Sequence, residues 1–295
     1  MAKIAVDLER ALARRRRDGA PGQITPSMLS HGDGWTVADV VCTSGPPDRP
    51  FEERHERPTI AIVLAGTFQY RSPLGRELMT PGSLMLGSEG QCFECGHQHG
   101  EGDRCISFWY TPDYFERLAA DAGARGGRAT FTVPGVPPLQ PLSPLVARAA
   151  AGVLGARDVA WEELAVRLAI VSLRLAAGVT SGRSSTPLNA EARVSRTVRM
   201  IDRHPDSALT LGALARQADL SPYHFLRLFE RVTGLTPHQY IRRARLREAG
   251  ARLMSEQGKV LDVALDSGFG DISNFNRAFR AEFGASPRAF RVAGP

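Results

Sequence analysis

The rhythm of hydrophobic and polar positions changes twice along the chain. An opening stretch, Ile4 to Arg17, spaces its apolar residues as one helix face and runs into Arg14-Arg15-Arg16-Arg17 before Asp18-Gly19-Ala20-Pro21-Gly22 breaks it. This predicts a short amphipathic helix, expected as a solvated arm. From Trp35 to Tyr110 the texture is short and β-rich, with Thr59 to Leu64, Gly66 to Tyr70, Ser83 to Leu86 and Cys105 to Tyr110 as strands. Turns are expected at Ala65-Gly66, Ser72-Pro73-Leu74-Gly75 and Thr80-Pro81-Gly82. Strands this short and regular predict a small barrel or sandwich.

Helical spacing returns at Pro112 to Leu118. After a proline-rich loop it continues at Pro144 to Leu154 and Val159 to Ala177, where Leu164, Leu168, Val171 and Leu175 form one stripe. That pair suits a cap on the barrel and a dimer interface equally well. Gly178 to Pro187 has the composition of a linker, so a boundary is expected near 178 to 190. The organisation expected is a regulatory domain over 1–140, a helical dimerisation and linker region over 141–189, and a separate all-α domain over 190–295.

The last third contains an internal repeat. Ala215, Phe225, Arg227, Phe229, Gly234, Pro237 and Tyr240 are matched by Ala264, Phe275, Arg277, Phe279, Gly284, Pro287 and Phe290, offset by 49 at the first pair and by 50 thereafter. Each copy reads as helix, turn, helix. In the first, Thr210 opens Leu211 to Ala218, and Ser221-Pro222 supplies an N-cap and a proline for a helix reaching Thr233, closed by Gly234. In the second, Val260 to Asp266 precedes a helix capped at Asp271 or Ser273 and reaching Glu282. Phe225, Leu228, Phe229 and Val232 form the buried stripe of one, and Ile272, Phe275, Ala278 and Phe279 that of the other. Asn274, Asn276, Arg277 and Arg280 are left free on an exposed helix, and such groups suit a major groove. Between the copies, Pro237 to Met254 carries Arg242, Arg243, Arg245 and Arg247, which suit phosphate contacts.

Charge sharpens this reading. The chain has 295 residues and a formal charge of +6, and from Ala190 onward it carries 17 Lys/Arg against 11 Asp/Glu, which is the entire excess. A neutral front and a basic rear fit a polyanionic partner at the rear. No apolar run approaches the roughly 18 residues of a membrane span, and the N-terminus lacks a signal-peptide apolar region, so the cytoplasm is expected.

Leu220 to Phe229, Gly234-Leu235-Thr236-Pro237, Gly268 to Phe279 and Phe283 to Arg291 together resemble the AraC/XylS family of bacterial regulators, over roughly Val194 to Arg291. The resemblance implies an α+β chain: an N-terminal cupin-like barrel or sandwich with flanking helices, then two helix-turn-helix units joined by a linker helix. It implies two recognition helices in successive major-groove segments, with Tyr223, Leu226 and Arg227 of the first, and Ser273, Asn274, Asn276 and Arg277 of the second, at contact positions. Arg227 and Arg277 are the foremost readers. The function expected is an effector-responsive, sequence-specific regulator, activator rather than repressor. Its expected partners are double-stranded DNA, RNA polymerase, a small-molecule or metal effector and a second copy of the chain.

All four cysteines, Cys42, Cys92, Cys95 and Cys105, lie in the neutral part, and Cys92-Phe93-Glu94-Cys95-Gly96-His97-Gln98-His99 followed by Cys105 is a local Cys/His cluster. Period-two alternation would put Cys95, His97 and His99 on one face of a strand. Cys105 or His55 would complete four ligands for zinc or another transition metal. Buried inert thiols, or a reversible switch between Cys92 and Cys95, are the alternatives. Two rival functions use the same residues: a metal-dependent cupin-type enzyme with a DNA-binding appendage, and a DNA-repair methyl-transfer protein with a zinc-held cysteine. The second lacks two CxxC pairs.

Overall fold

The computed structural model describes residues 2–123, 129–155, 159–178 and 188–292. Beyond Gly178, the expected linker lies outside the described residues. The front half runs α1 (Ala2–Asp18), β1 (Ile24–Gly32), β2 (Trp35–Cys42), β3 (Phe51–Arg54), β4 (Thr59–Gly66), β5 (Phe68–Ser72), β6 (Gly75–Met79), β7 (Leu84–Gly87), β8 (Cys92–Gly96), β9 (Asp103–Tyr110), α2 (Pro112–Asp121), β10 (Gly135–Val136), α3 (Ser143–Val153) and α4 (Trp161–Gly178). Its strands form two antiparallel sheets, ordered β1-β2-β9-β4-β7-β10 and β3-β8-β5-β6.

Strand β4 shows how the layers are built. It is buried along nearly its whole length, because each face has its own cover. Ala61 and Val63 turn inward and pack with Phe68, Tyr70, Met79 and Cys95 of the smaller sheet. Ile60, Ile62 and Leu64 turn outward against helices, in one core with Leu8, Leu145 and Leu164. The expected sandwich is therefore present.

The N-terminal arm is not solvated. Ile4, Leu8 and Leu12 are buried, and α1 packs on β4 and β9. Burial of each such side chain is worth roughly 1.5–3 kcal/mol, enough to dock a helix that would otherwise fray. Leu164 and Leu168 of α4 enter the same core, so this helix caps the larger sheet.

The rear half is all helix: α5 (Leu188–Arg203), α6 (Leu211–Gln217), α7 (Pro222–Thr233), α8 (Pro237–Ser255), α9 (Val260–Asp266), α10 (Ile272–Phe283) and α11 (Pro287–Val292). It has two cores sharing one helix. Tyr240, Ile241 and Ala244 of α8 join Phe225, Phe229, Leu214 and Val198, whereas Leu246, Ala249 and Leu253 join Phe275, Phe279, Phe283 and Val263. Helix α3 lies across α8 so closely that a Cβ at Gly250 would stand 3.1 Å from that of Ala147.

Candidate nucleic-acid interface

Both repeat copies are fixed by local chemistry. Ser221 caps α7 by accepting a hydrogen bond from the His224 amide at 3.3 Å, and Asp271 caps α10 by accepting one from the Asn274 amide at 2.7 Å. At the other ends Gly234 and Gly284 adopt left-handed φ of 71° and 73°, which a side chain would strain. With Phe225 and Phe229, and Phe275 and Phe279, turned inward, the opposite helix faces must look outward. Tyr223 and Arg227 on α7 are exposed, and so are Ser273, Asn274, Asn276, Arg277 and Arg280 on α10. Leu226 is half-buried.

The two faces converge. Leu226 from α7, Asn274 and Arg277 from α10, and Arg242 from α8 line a single groove of about 880 Å³ with Ile241 among its walls. Arg277 Nη2 donates to Asn274 Oδ1 at 3.5 Å, a long bond that leaves the guanidinium available to a ligand.

The arginines of α8 divide differently from expectation. Arg242 is exposed. Arg243 donates from Nη1 to the Pro138 carbonyl at 2.7 Å and faces Glu282 at 3.3 Å, so its expected phosphate role is corrected to a brace on the front half. Arg245 donates to the carbonyls of Pro205, Ser207 and Gly268 at 2.6, 2.9 and 2.8 Å, tying the first unit to the turn of the second. Arg247 is buried over the Tyr240 ring, 5.7 Å from its centroid. Arginine content alone does not separate these roles, because α8 is the shared core helix and only one strip of it reaches solvent.

Residues 214–293 match a helix-turn-helix domain family. The regulatory protein SoxS of Salmonella typhimurium is 32% identical over 98 residues, which are 33% of this chain and 92% of SoxS. The chain belongs to the AraC/XylS family of transcription regulators. The transcriptional activator RhaS of Escherichia fergusonii is 35% identical over 103 residues, 35% of this chain but only 37% of RhaS. Among solved structures, the DNA-binding domain of AdpA in complex with a target DNA is 29% identical, covering 34% of this chain and 91% of that one, with a TM-score of 0.34. ToxT of Vibrio cholerae is 13% identical, covering 88% and 98%, with a TM-score of 0.37. As an AraC/XylS regulator the protein binds double-stranded DNA and regulates transcription. No helix among the described residues is long and apolar enough to cross a membrane.

The front half of this AraC/XylS chain holds a cavity of about 990 Å³ between its sheets, lined by Cys42, His55, Cys95, His97, Asp103 and Cys105 among others. Inside it the expected ligand set is rearranged. His97 Nε2 lies 2.7 Å from Asp103 Oδ1, and Cys105 Sγ lies 3.1 Å from Asp103 Oδ2. One donor atom each from Cys42, His97 and Asp103 lies within 4.8 Å of the others. His55 instead pairs with the Tyr70 hydroxyl at 2.8 Å and stacks on Phe93, and burial pushes its pKa down to about 4. His99 lies past the end of β8 at Gly96, so strand alternation no longer governs it, and its carbonyl accepts from Ser195 Oγ of α5 at 3.4 Å. Cys95 faces inward and Cys92 outward on the same strand, which sets the two thiols of the expected switch on opposite faces.

Cys42 and Asp103 were missed in the sequence because nothing local joins them. They are cross-strand partners of β2 and β9.

Proposed function

We propose that this regulator reads two successive major-groove segments, with Arg227 and Arg277 as base readers. Tyr223, Leu226, Ser273, Asn274, Asn276 and Arg280 surround them, and Arg242 sits on phosphate. The observation that carries the reading is the groove in which α7, α10 and α8 present Leu226, Arg277 and Arg242 together. Arginine bonds guanine through two donors, asparagine adenine likewise, and Leu226 suits a thymine methyl. On this reading 190–295 is the DNA-binding domain, 1–140 a cupin-like effector domain and 141–189 the region linking them and pairing two copies. The protein acts in the cytoplasm as an activator touching RNA polymerase, and its front half binds an effector without turning it over.

The test begins with an operator selected from random DNA using the full chain. Arg277→Ala is expected to weaken operator binding by about 1–3 kcal/mol and to relax selectivity at one base pair. Equal weakening on the operator and on random DNA would overturn the base-reading role. Turnover of a small molecule by the full chain would overturn the effector reading in favour of an enzyme.

A further inference from the structure

The cavity wall between the sheets is chemically unlike the rest of the front-half core. Alternation on β2 and β9 turns Cys42 inward opposite Asp103, and Cys105 inward two residues further along. His97, 5% exposed, approaches Asp103 from beyond the end of β8. Two thiols, an imidazole and a carboxylate thus meet in one buried place. Their hydrogen bonding is incomplete, since His97 Nδ1 is buried without a partner. The Asp103 carboxylate is met by His97 Nε2 and by the weaker Cys105 thiol, so the open position of the cluster is His97 Nδ1.

We propose that Cys42, His97, Asp103 and Cys105 bind one zinc(II) ion, and that the loop from His97 to Asp103 passes its presence to the DNA-binding half. The donors are those of a tetrahedral zinc site. Zinc bond lengths of about 2.0–2.3 Å require donor atoms roughly 3.5 Å apart; those of Cys42, His97 and Asp103 already lie within 4.8 Å of one another, and Cys105 Sγ, 3.1 Å from Asp103 Oδ2, is the fourth donor and must turn towards them. Binding releases to solvent the thiol protons of Cys42 and Cys105 and the second ring proton of His97, which burial disfavours but Asp103 holds in place, leaving two thiolates, a carboxylate and a neutral imidazole around a divalent cation. The cluster opens on the cavity, which gives an ion its route in.

The route out is the loop itself. Arg199 of α5 donates to the carbonyls of Glu101 at 2.6 Å, Gly102 at 3.0 Å and Thr67 at 3.1 Å. Gly100 lies so close that an added Cβ would come within 2.4 Å of the Arg199 guanidinium. Thr67 also shares a hydrogen bond of 2.7 Å with Ser195, four residues earlier on α5. Helix α5 packs in the core of the first helix-turn-helix unit through Val194, Val198 and Ile201. A displacement of Asp103 or His97 therefore meets α5 directly.

The inference rests on the effector reading for its second half only, so the two halves fail separately. Full-length protein is prepared reduced and metal-free, and titrated with zinc(II) and with cobalt(II) as a spectroscopic stand-in. One ion per chain is expected, with a thiolate-to-cobalt charge-transfer band. Cys42→Ser and Cys105→Ser are expected to weaken zinc at least tenfold, and Cys92→Ser, on the outer face, to leave it unchanged. Circular dichroism of each metal-free variant checks its folding. A folded, reduced wild type that takes up no zinc overturns the site, and so does a Cys42–Cys105 disulfide that forms instead. For transmission, zinc is expected to change affinity for the selected operator about tenfold. Arg199→Gln should bind zinc as tightly while losing that response. Equal operator affinity with and without zinc in the wild type overturns transmission alone.

Discussion

The two helix-turn-helix units are copies in their interiors and differ at their borders. Both recognition helices bury phenylalanines at two matching positions, to which α10 adds Phe283, start at a side-chain cap and stop at a left-handed glycine. The front half holds them through different elements. Around the first unit, α5 brings Glu191, Ser195 and Arg199 against β5 and its flanks, and Leu78 of β6 enters its core. Around the second, Glu282 accepts from Ser143 Oγ at 2.5 Å and faces Arg243, while Gln140 donates to the Ala281 and Glu282 carbonyls. Duplication preserved what folds each unit. What clamps each unit was fitted separately, so a change in the front half can act on one copy before the other.

The largest effects are expected in the shared core. Phe229→Ala and Phe279→Ala should each cost about 3–5 kcal/mol in urea unfolding. Because α8 serves both cores, each should also abolish protection of both DNA segments in footprinting. Loss of only the mutated unit's segment would mean that the units stand independently. Next comes Glu282→Ala, which leaves Ser143 and Arg243 without their carboxylate and should cost about 3 kcal/mol. Its hydrogen exchange should quicken in α10 and stay unchanged in α7, and a uniform rise would deny separate clamping.

Smaller effects test the symmetry of the interiors. Ser221→Ala and Asp271→Ala should each lose about 1 kcal/mol, read as equal shifts of the urea midpoint. The smallest concerns Asp202 on α5, whose carboxyl is pushed up to about 7 by burial although Arg247 and Arg199 oppose the shift. Raised above the unfolded value of 3.8, it takes up a proton on folding. Stability therefore falls as pH climbs from about 4 to 7, with the loss complete above that window. Asp202→Asn should show a weaker fall in melting temperature between pH 5 and 8 than the wild type. Identical pH profiles would place Asp202 outside the buried junction.

The legible parts of the fold share a physical property. Elements with one buried apolar face and local end signals could be read from sequence, as with α7 and α10, and so could β4, a short apolar run bounded by turn residues. The strands β1 and β8 could not, because β1 is largely exposed and β8 begins exposed and ends buried, so neither shows a clean alternation. In the candidate interface, Arg277, Asn274 and Arg227 were legible because a repeat fixes which face is inward. Arg243 was not, since its partners Pro138 and Glu282 are more than a hundred residues and about forty residues away along the chain.

The sequence by itself determined that two helix-turn-helix units end this chain, where each begins and stops, and that their charge suits DNA. Those properties arise from residues within a few turns of one another. Tertiary structure alone decided which arginines stay free, that the N-terminal helix docks, and that Cys42 and Asp103 join His97 and Cys105. Those outcomes depend on strand register and on packing between halves, which bring together side chains that no local pattern relates.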